Sequence, residues 1–178
     1  VEGLYEISLR PEEIASIQSY AKTYSLTLNT VFQGAWGIYH SRAMKSDDLL
    51  IAAVTSGRPE VMENAERIVG VFSNVIPVRI QYPNQSVPLN EWMSALQETF
   101  LSIKRFDYLS PDEIARVAGI PDYVVQDVIY FKTLVYLNNP NENCFKGKGL
   151  IMQLEEEHSY VNVPLRVYIE PFNHFRVV

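Results

Sequence analysis

The stretch from Leu50 to Ile80, LIAAVTSGRPEVMENAERIVGVFSNVIPVRI, constrains the fold more than any other. Ile51, Ala53 and Thr55 alternate with Ala52, Val54 and Ser56, and the run is apolar on both sides. That pattern predicts a strand buried on both faces. It stops at Ser56-Gly57-Arg58-Pro59, where glycine permits unusual backbone angles and proline removes a donor. After a connection, Val75 to Ile80 predicts a second strand, and Pro77 marks it as an edge or a bulge.

Helices and further strands flank this pair. Gly3 to Leu9 alternates as a short strand. Pro11 with Glu12 and Glu13 opens a helix, proline in the first turn and acids at the positive dipole end, which runs to about Tyr24. Thr27 or Asn29 caps a second helix that reaches about Met44. Its expected apolar face is Val31, Ala35, Ile38 and Tyr39, with Phe32 and Trp36 close by, a wide arc that suits a helix packed on a sheet. Residues Lys45 to Asp48 turn into the Leu50 strand. Beyond the second strand, Tyr82 to Val87 is a polar loop, and Pro88 opens a long helix to about Phe106. Trp92, Leu96, Thr99, Phe100 and Ile103 form its core stripe, with Gln97, Glu98 and Lys104 outside it. Ser110 or Asp112 caps a short helix that ends at Gly119. Val124 to Leu137 reads as a long strand, Asn138 to Gly149 as a loop, and Leu150 to Glu155, Arg166 to Glu170 and Phe175 to Val178 as further strands. The fold class is α/β in the broad sense, shading into α+β.

Composition narrows the function classes. At 178 residues the chain can bury a real core. A net charge of −6 opposes a general nucleic-acid role, because phosphate neutralisation needs clustered Lys and Arg. No apolar run reaches the roughly 18 residues of a membrane span. The sole cysteine, Cys144, in a loop or hairpin, permits no internal disulfide and favours the cytoplasm. The chain begins with Val1 and has no signal-peptide pattern, so it reads as an excised piece of a longer protein or a processed one. Asn84-Gln85-Ser86 matches a glycosylation sequon but reads as surface loop.

The motif inventory yields no catalytic residue and no metal site. His40, His158 and His174 lack a second His, Asp or Glu at metal-ligand or acid–base spacing, and His40 reads as a packing or surface residue. Glu155-Glu156-Glu157 cannot all point inward on one strand and reads as an exposed acidic edge. Gly147-Lys148-Gly149 lacks the strand–GxxxxGK[ST]–helix frame of a phosphate loop. There is no G-x-S-x-G elbow.

Gly70, Phe72, Asn74, Pro77 and Arg79 resemble the G-x-F-x-N-[TV]-x-P-x-R motif of condensation domains of nonribosomal peptide synthetases. Ser56-Gly57-Arg58-Pro59 is similar to the S-G-R-P segment that precedes it. Three further stretches resemble family segments: Leu28 to Trp36, Asp127 to Asn138, and Tyr160 to Leu165, where Val163 replaces the usual aromatic. Phe106 to Ile114 resembles H-x-x-x-P-[LF]-x-x-[IL], with Arg105 and Phe106 where a histidine often stands.

The resemblance implies a chloramphenicol acetyltransferase-like lobe, a mixed β-sheet packed with helices as a two-layer sandwich. It implies that residues 1–178 are the C-terminal lobe, because nothing matches the H-H-x-x-x-D-G motif of the N-terminal lobe, and that the C-terminus is cut in mid-strand. The intact domain joins an amine on a downstream carrier protein to a thioester on an upstream one. This lobe then walls the tunnel reached by the phosphopantetheine arms of both peptidyl carrier proteins and binds no cofactor itself. Its partners are the N-terminal lobe, both carriers and an adjacent adenylation domain. Asn74 and Arg79 hold the sheet and the connection near that tunnel, or serve as plain structural hydrogen bonders. Gly57 and Gly70 fill positions of close approach or positive φ. Arg58 forms a salt bridge to a neighbouring loop or contacts a carrier or substrate phosphate. A non-catalytic docking module, or an epimerisation or cyclisation relative, stands as the alternative. A lobe without its partner is expected to expose an apolar face and self-associate.

Overall fold

The computed structural model describes residues 9–58, 62–83, 86–121 and 123–124, together with the backbone of strands at 133–136, 144–147, 150–153 and 166–169. All of the expected strand Gly3–Leu9 except Leu9, the expected strand Phe175–Val178, the Asn84-Gln85 pair, Glu155 to Glu157, the Tyr160 to Leu165 segment, His158 and His174 lie outside these residues.

Helix α1, Pro11–Thr23, begins as the sequence predicts, with proline in its first turn. Glu13 accepts the Arg10 backbone N–H at 2.8 Å and pairs with its guanidinium at 2.8 Å. Helix α2, Leu28–Met44, is capped by Thr27, whose hydroxyl accepts the Thr30 N–H at 3.1 Å. Strand β1, Asp48–Thr55, follows, then a 3-10 turn at Ala65–Arg67 and strand β2, Asn74–Gln81. Helices α3, Leu89–Lys104, and α4, Pro111–Ala118, come next. Ser110 caps α4 reciprocally with Glu113, and Gly119 ends it at φ +65°.

The main sheet runs β2-β1-β3-β6, with β3 at Thr133–Tyr136 and β6 at Arg166–Ile169. β1 and β2 are antiparallel in unbroken register from Asp48 opposite Gln81 to Thr55 opposite Asn74, whereas β1–β3 and β3–β6 are parallel. The sheet is therefore mixed, as expected. Pro77 sits opposite Ala52 with no bulge, and β2 is the outer strand of the described sheet, so the edge reading of the proline holds. Trp92 caps part of that edge by donating its indole N–H to the Gln81 carbonyl at 2.8 Å.

One face of the sheet carries the core. Ile51, Ala53, Ile76, Val78 and Ile80 pack with Ala21 and Leu26 and with Trp92, Met93 and Leu96 of α3. On the opposite face Ala52 is fully buried while Leu50 and Val54 are half-buried. α3 buries the predicted stripe at Trp92 and Leu96, adds Met93, and leaves Thr99 exposed.

Three expectations need correction. The fully buried face of α2 is Thr30, Gln33, Gly34, Gly37, His40 and Ser41; of the predicted face, Val31 and Ile38 pack half-buried against the core, whereas Ala35 and Tyr39 are exposed. The cause is close approach. A Cβ on Gly34 would meet Met93 Cε at 2.8 Å, and one on Gly37 would meet Ile80 Cγ2 at 2.8 Å. Side chains that are small or absent let the helix sit on α3 and β2, and larger neighbours such as Trp36 and Ile38 flank the contact. The expected loop at Asn138 to Gly149 contains strand β4, Cys144–Gly147, antiparallel to β5, Leu150–Gln153. Gly147 pairs with Leu150, so two residues suffice to link the strands, the shortest common hairpin connection. Finally, Tyr123 and Val124 are helical, so the strand expected from Val124 starts later, and its described part is Thr133–Tyr136.

Candidate functional site

The long connection between β1 and β2 gathers five of the eight residues singled out in the sequence, Ser56, Gly57, Arg58, Gly70 and Phe72. Its base is closed by the Thr55–Asn74 pair. Gly57 lies just beyond, buried, with φ +59°, a backbone angle that disfavours any side chain. Its free face presses on the returning strand of the loop: a Cβ there would fall on the Phe72 carbonyl oxygen and lie 2.8 Å from the carbonyl carbon. Gly57 is thus both a positive-φ and a close-approach position. Gly70 is neither; φ there is not positive, and a Cβ would meet only the Phe72 ring, at an ordinary 3.6 Å.

Arg58 is the centre of this loop. Its Nη1 donates to the Ala65 carbonyl and, at 3.2 Å, to the Ile68 carbonyl. Its guanidinium carbon lies 4.4 Å from the centroid of the Phe72 ring. The expected salt bridge is therefore replaced, among the described residues, by carbonyls and an aromatic face. A planar five-donor group on two carbonyls and one ring braces the loop at three points. Ser56 stands exposed at the start of the loop.

Asn74 ties the loop base to the turn between α3 and α4. Its Nδ2 donates to the carbonyls of Asp107 and Leu109, both at 2.7 Å, and its Oδ1 accepts the Val75 N–H at 2.9 Å. This saturates the amide and fixes the 107–109 turn against the sheet end, with Asp107 itself buried. The segment Phe106 to Ile114, met in the sequence as an imperfect motif, thus lands beside the Asn74 motif.

Arg79 is at the other end of β2, about 17 Å along the strand from Asn74. It holds Asp48 in a two-pronged pair, Nε to Oδ1 at 2.8 Å and Nη2 to Oδ2 at 2.5 Å. That hydrogen bonding keeps the Asp48 carboxyl below its ordinary range. Both side chains remain at least half exposed. The structure so divides the sequence-predicted set: Gly57, Arg58, Phe72 and Asn74 come together, Pro77 lies mid-strand, and Arg79 stands apart. His40 is buried edge-on to Trp36, ring centroids 4.4 Å apart, as a packing residue. Among the described residues no group of three His, Cys, Asp or Glu side chains is placed to hold a metal.

Sequence reasoning missed two features. Gln97, read as lying outside the core stripe, accepts from Thr27 N at 2.7 Å and Thr30 Oγ1 at 3.0 Å and donates to the Ser25 carbonyl at 3.1 Å, which locks the α1–α2 turn onto α3. The second is the loop tip, where Val69 is 100% and Val71 96% exposed. The apolar run Ile68-Val69-Gly70-Val71 was its available signal.

A family model described as Condensation domain matches residues 1–169. The chain belongs to the condensation domain family. It is 26% identical over 169 residues to tyrocidine synthase 3 of Brevibacillus parabrevis, across 95% of this chain and 2% of that protein. It is 30% identical over 135 residues to surfactin synthase subunit 3 of Bacillus subtilis (strain 168), across 76% of this chain and 10% of that protein. The condensation-domain chain therefore spans a small fraction of these curated relatives. Among solved structures, a chain named CT superposes with a TM-score of 0.72 at 15% identity, covering 98% of this chain and 38% of its own. The first condensation domain of the calcium-dependent antibiotic synthetase, in complex with a substrate analogue, gives 0.66 at 15% identity, with the same coverage of 98% and 38%. These neighbours place the fold in the chloramphenicol acetyltransferase-like α/β class. Among the described residues, no helix of a condensation-domain chain such as this is long and apolar enough to cross a membrane.

Proposed function

We propose that this chain is the C-terminal lobe of a nonribosomal peptide synthetase condensation domain and that it walls the channel in which an amide bond is made. The observation that carries the reading is the loop cluster Gly57, Arg58, Phe72 and Asn74, which joins both family-like segments into one braced unit. The coverage supports it, since nearly the whole chain superposes on about a third of a condensation-domain chain. In the reaction, the amine on the downstream carrier attacks the thioester carbonyl on the upstream carrier. A C–N bond forms, the C–S bond breaks, and the upstream thiol leaves with a proton. This lobe contributes shape, and positioning of two tethered reactants is itself a large share of such a rate. The phosphopantetheine arms belong to the carriers, and an N-terminal lobe supplies the H-H-x-x-x-D-G motif. An adjacent adenylation domain and a cytoplasmic setting complete the proposal.

The test is reconstitution with two loaded carrier proteins. The chain alone forms no amide; the chain combined with an N-terminal condensation lobe that carries the H-H-x-x-x-D-G motif does. Turnover by the chain alone refutes the lobe reading. Carrier binding without turnover in the combined sample favours the docking-module alternative.

A further inference from the structure

We draw no further inference here: the strongest candidate, the exposed apolar surface patch of Phe106, Tyr108, Val117 and Tyr123 around the α3–α4 turn and helix α4, carries nothing because nothing in the structure shows what covers it.

Discussion

Replacing Gly57 by alanine isolates the two demands that the β1–β2 loop makes on one residue. The first is conformational. At φ +59° an L-residue with a Cβ is strained by about 1–2 kcal/mol. The second is steric. The new methyl would overlap the Phe72 carbonyl oxygen and lie 2.8 Å from its carbon, and a backbone carbonyl cannot swing aside as a side chain can. Forced displacement of packed backbone costs about 1–3 kcal/mol. Together these give a loss near 3 kcal/mol, a large share of the roughly 5–15 kcal/mol that holds an ordinary domain. For a chain of this size that is a fall of about 6–12 °C in melting temperature. The structure supplies its own control. Gly119 has φ +65° with nothing within 4 Å of the place a methyl would take, so Gly119→Ala carries the conformational strain alone. The gain from a stiffer unfolded chain is common to both variants and cancels in the difference. Urea denaturation of both variants beside the wild type is the assay. Gly57→Ala should be worse than Gly119→Ala by about 1–3 kcal/mol. Equal losses for the two would refute the close approach of Phe72 to Gly57 and with it the braced loop.

Other expectations follow from the same contacts. Asn74→Ala leaves the Asp107 and Leu109 carbonyls without their shared donor and should cost about 1–3 kcal/mol by chemical denaturation; a change under about 0.5 kcal/mol would mean that water replaces the amide fully. Ser110→Ala removes the N-cap of α4 and should cost about 1 kcal/mol, seen as faster amide exchange in Glu113 and Ile114 before the rest of the chain opens. Asp48 has its pKa depressed by Arg79, so the pair's contribution is present above the ordinary aspartate range and is lost as pH falls through the lowered folded value. Arg79→Ala should therefore lower stability slightly above the ordinary aspartate range and leave it unchanged at the acid extreme, which flattens the acid limb of the stability curve, and 1 M salt should mimic it, since the pair is exposed.

The sequence was most legible where one residue type had one physical reason to be present. Pro77 announced an edge strand because an interior strand cannot spare the donor, and Gly57 announced a strained turn because it followed a run with no other breaker. The caps at Thr27 and Ser110 were readable for the same reason. The buried face of α2 was not, because it carries the polar side chains Thr30, Gln33, His40 and Ser41 where an apolar stripe is expected, and two glycines whose significance is the absence of atoms decided the contact. Among the described residues, Arg58 meets carbonyls and a ring where a carboxylate was expected. A charge invites the expectation of an opposite charge, yet carbonyls belong to every residue and leave no mark in a sequence. Gln97 shows the same limit at long range: its three partners lie about seventy positions away and were fixed only by the packing of α3 on the α1–α2 turn. The short β4–β5 pair hid under the Asn- and Gly-rich composition of the 138–149 stretch.

The division of the family motif into a loop cluster and a distant Arg79–Asp48 pair has a consequence for the assembled domain. The side chains of the loop cluster are an arginine, a phenylalanine and an asparagine, and the arginine and asparagine are engaged by backbone carbonyls. On the lobe reading proposed above, their replacement should act on how much of the lobe is correctly docked and not on the amide-forming step. For Arg58→Ala the lost rate should return as the concentration of the N-terminal lobe is raised, because mass action refills a weakened complex. A residue that stabilised the transition state directly would show the opposite pattern, a reduced rate that no excess of partner restores. Arg79→Ala, far along β2 and away from the loop cluster, should need no excess at all. A titration of amide-forming rate against N-terminal lobe, run for the wild type and both variants, separates these behaviours, and a plateau for Arg58→Ala well below the wild-type plateau would assign that arginine to the chemistry and not to the scaffold.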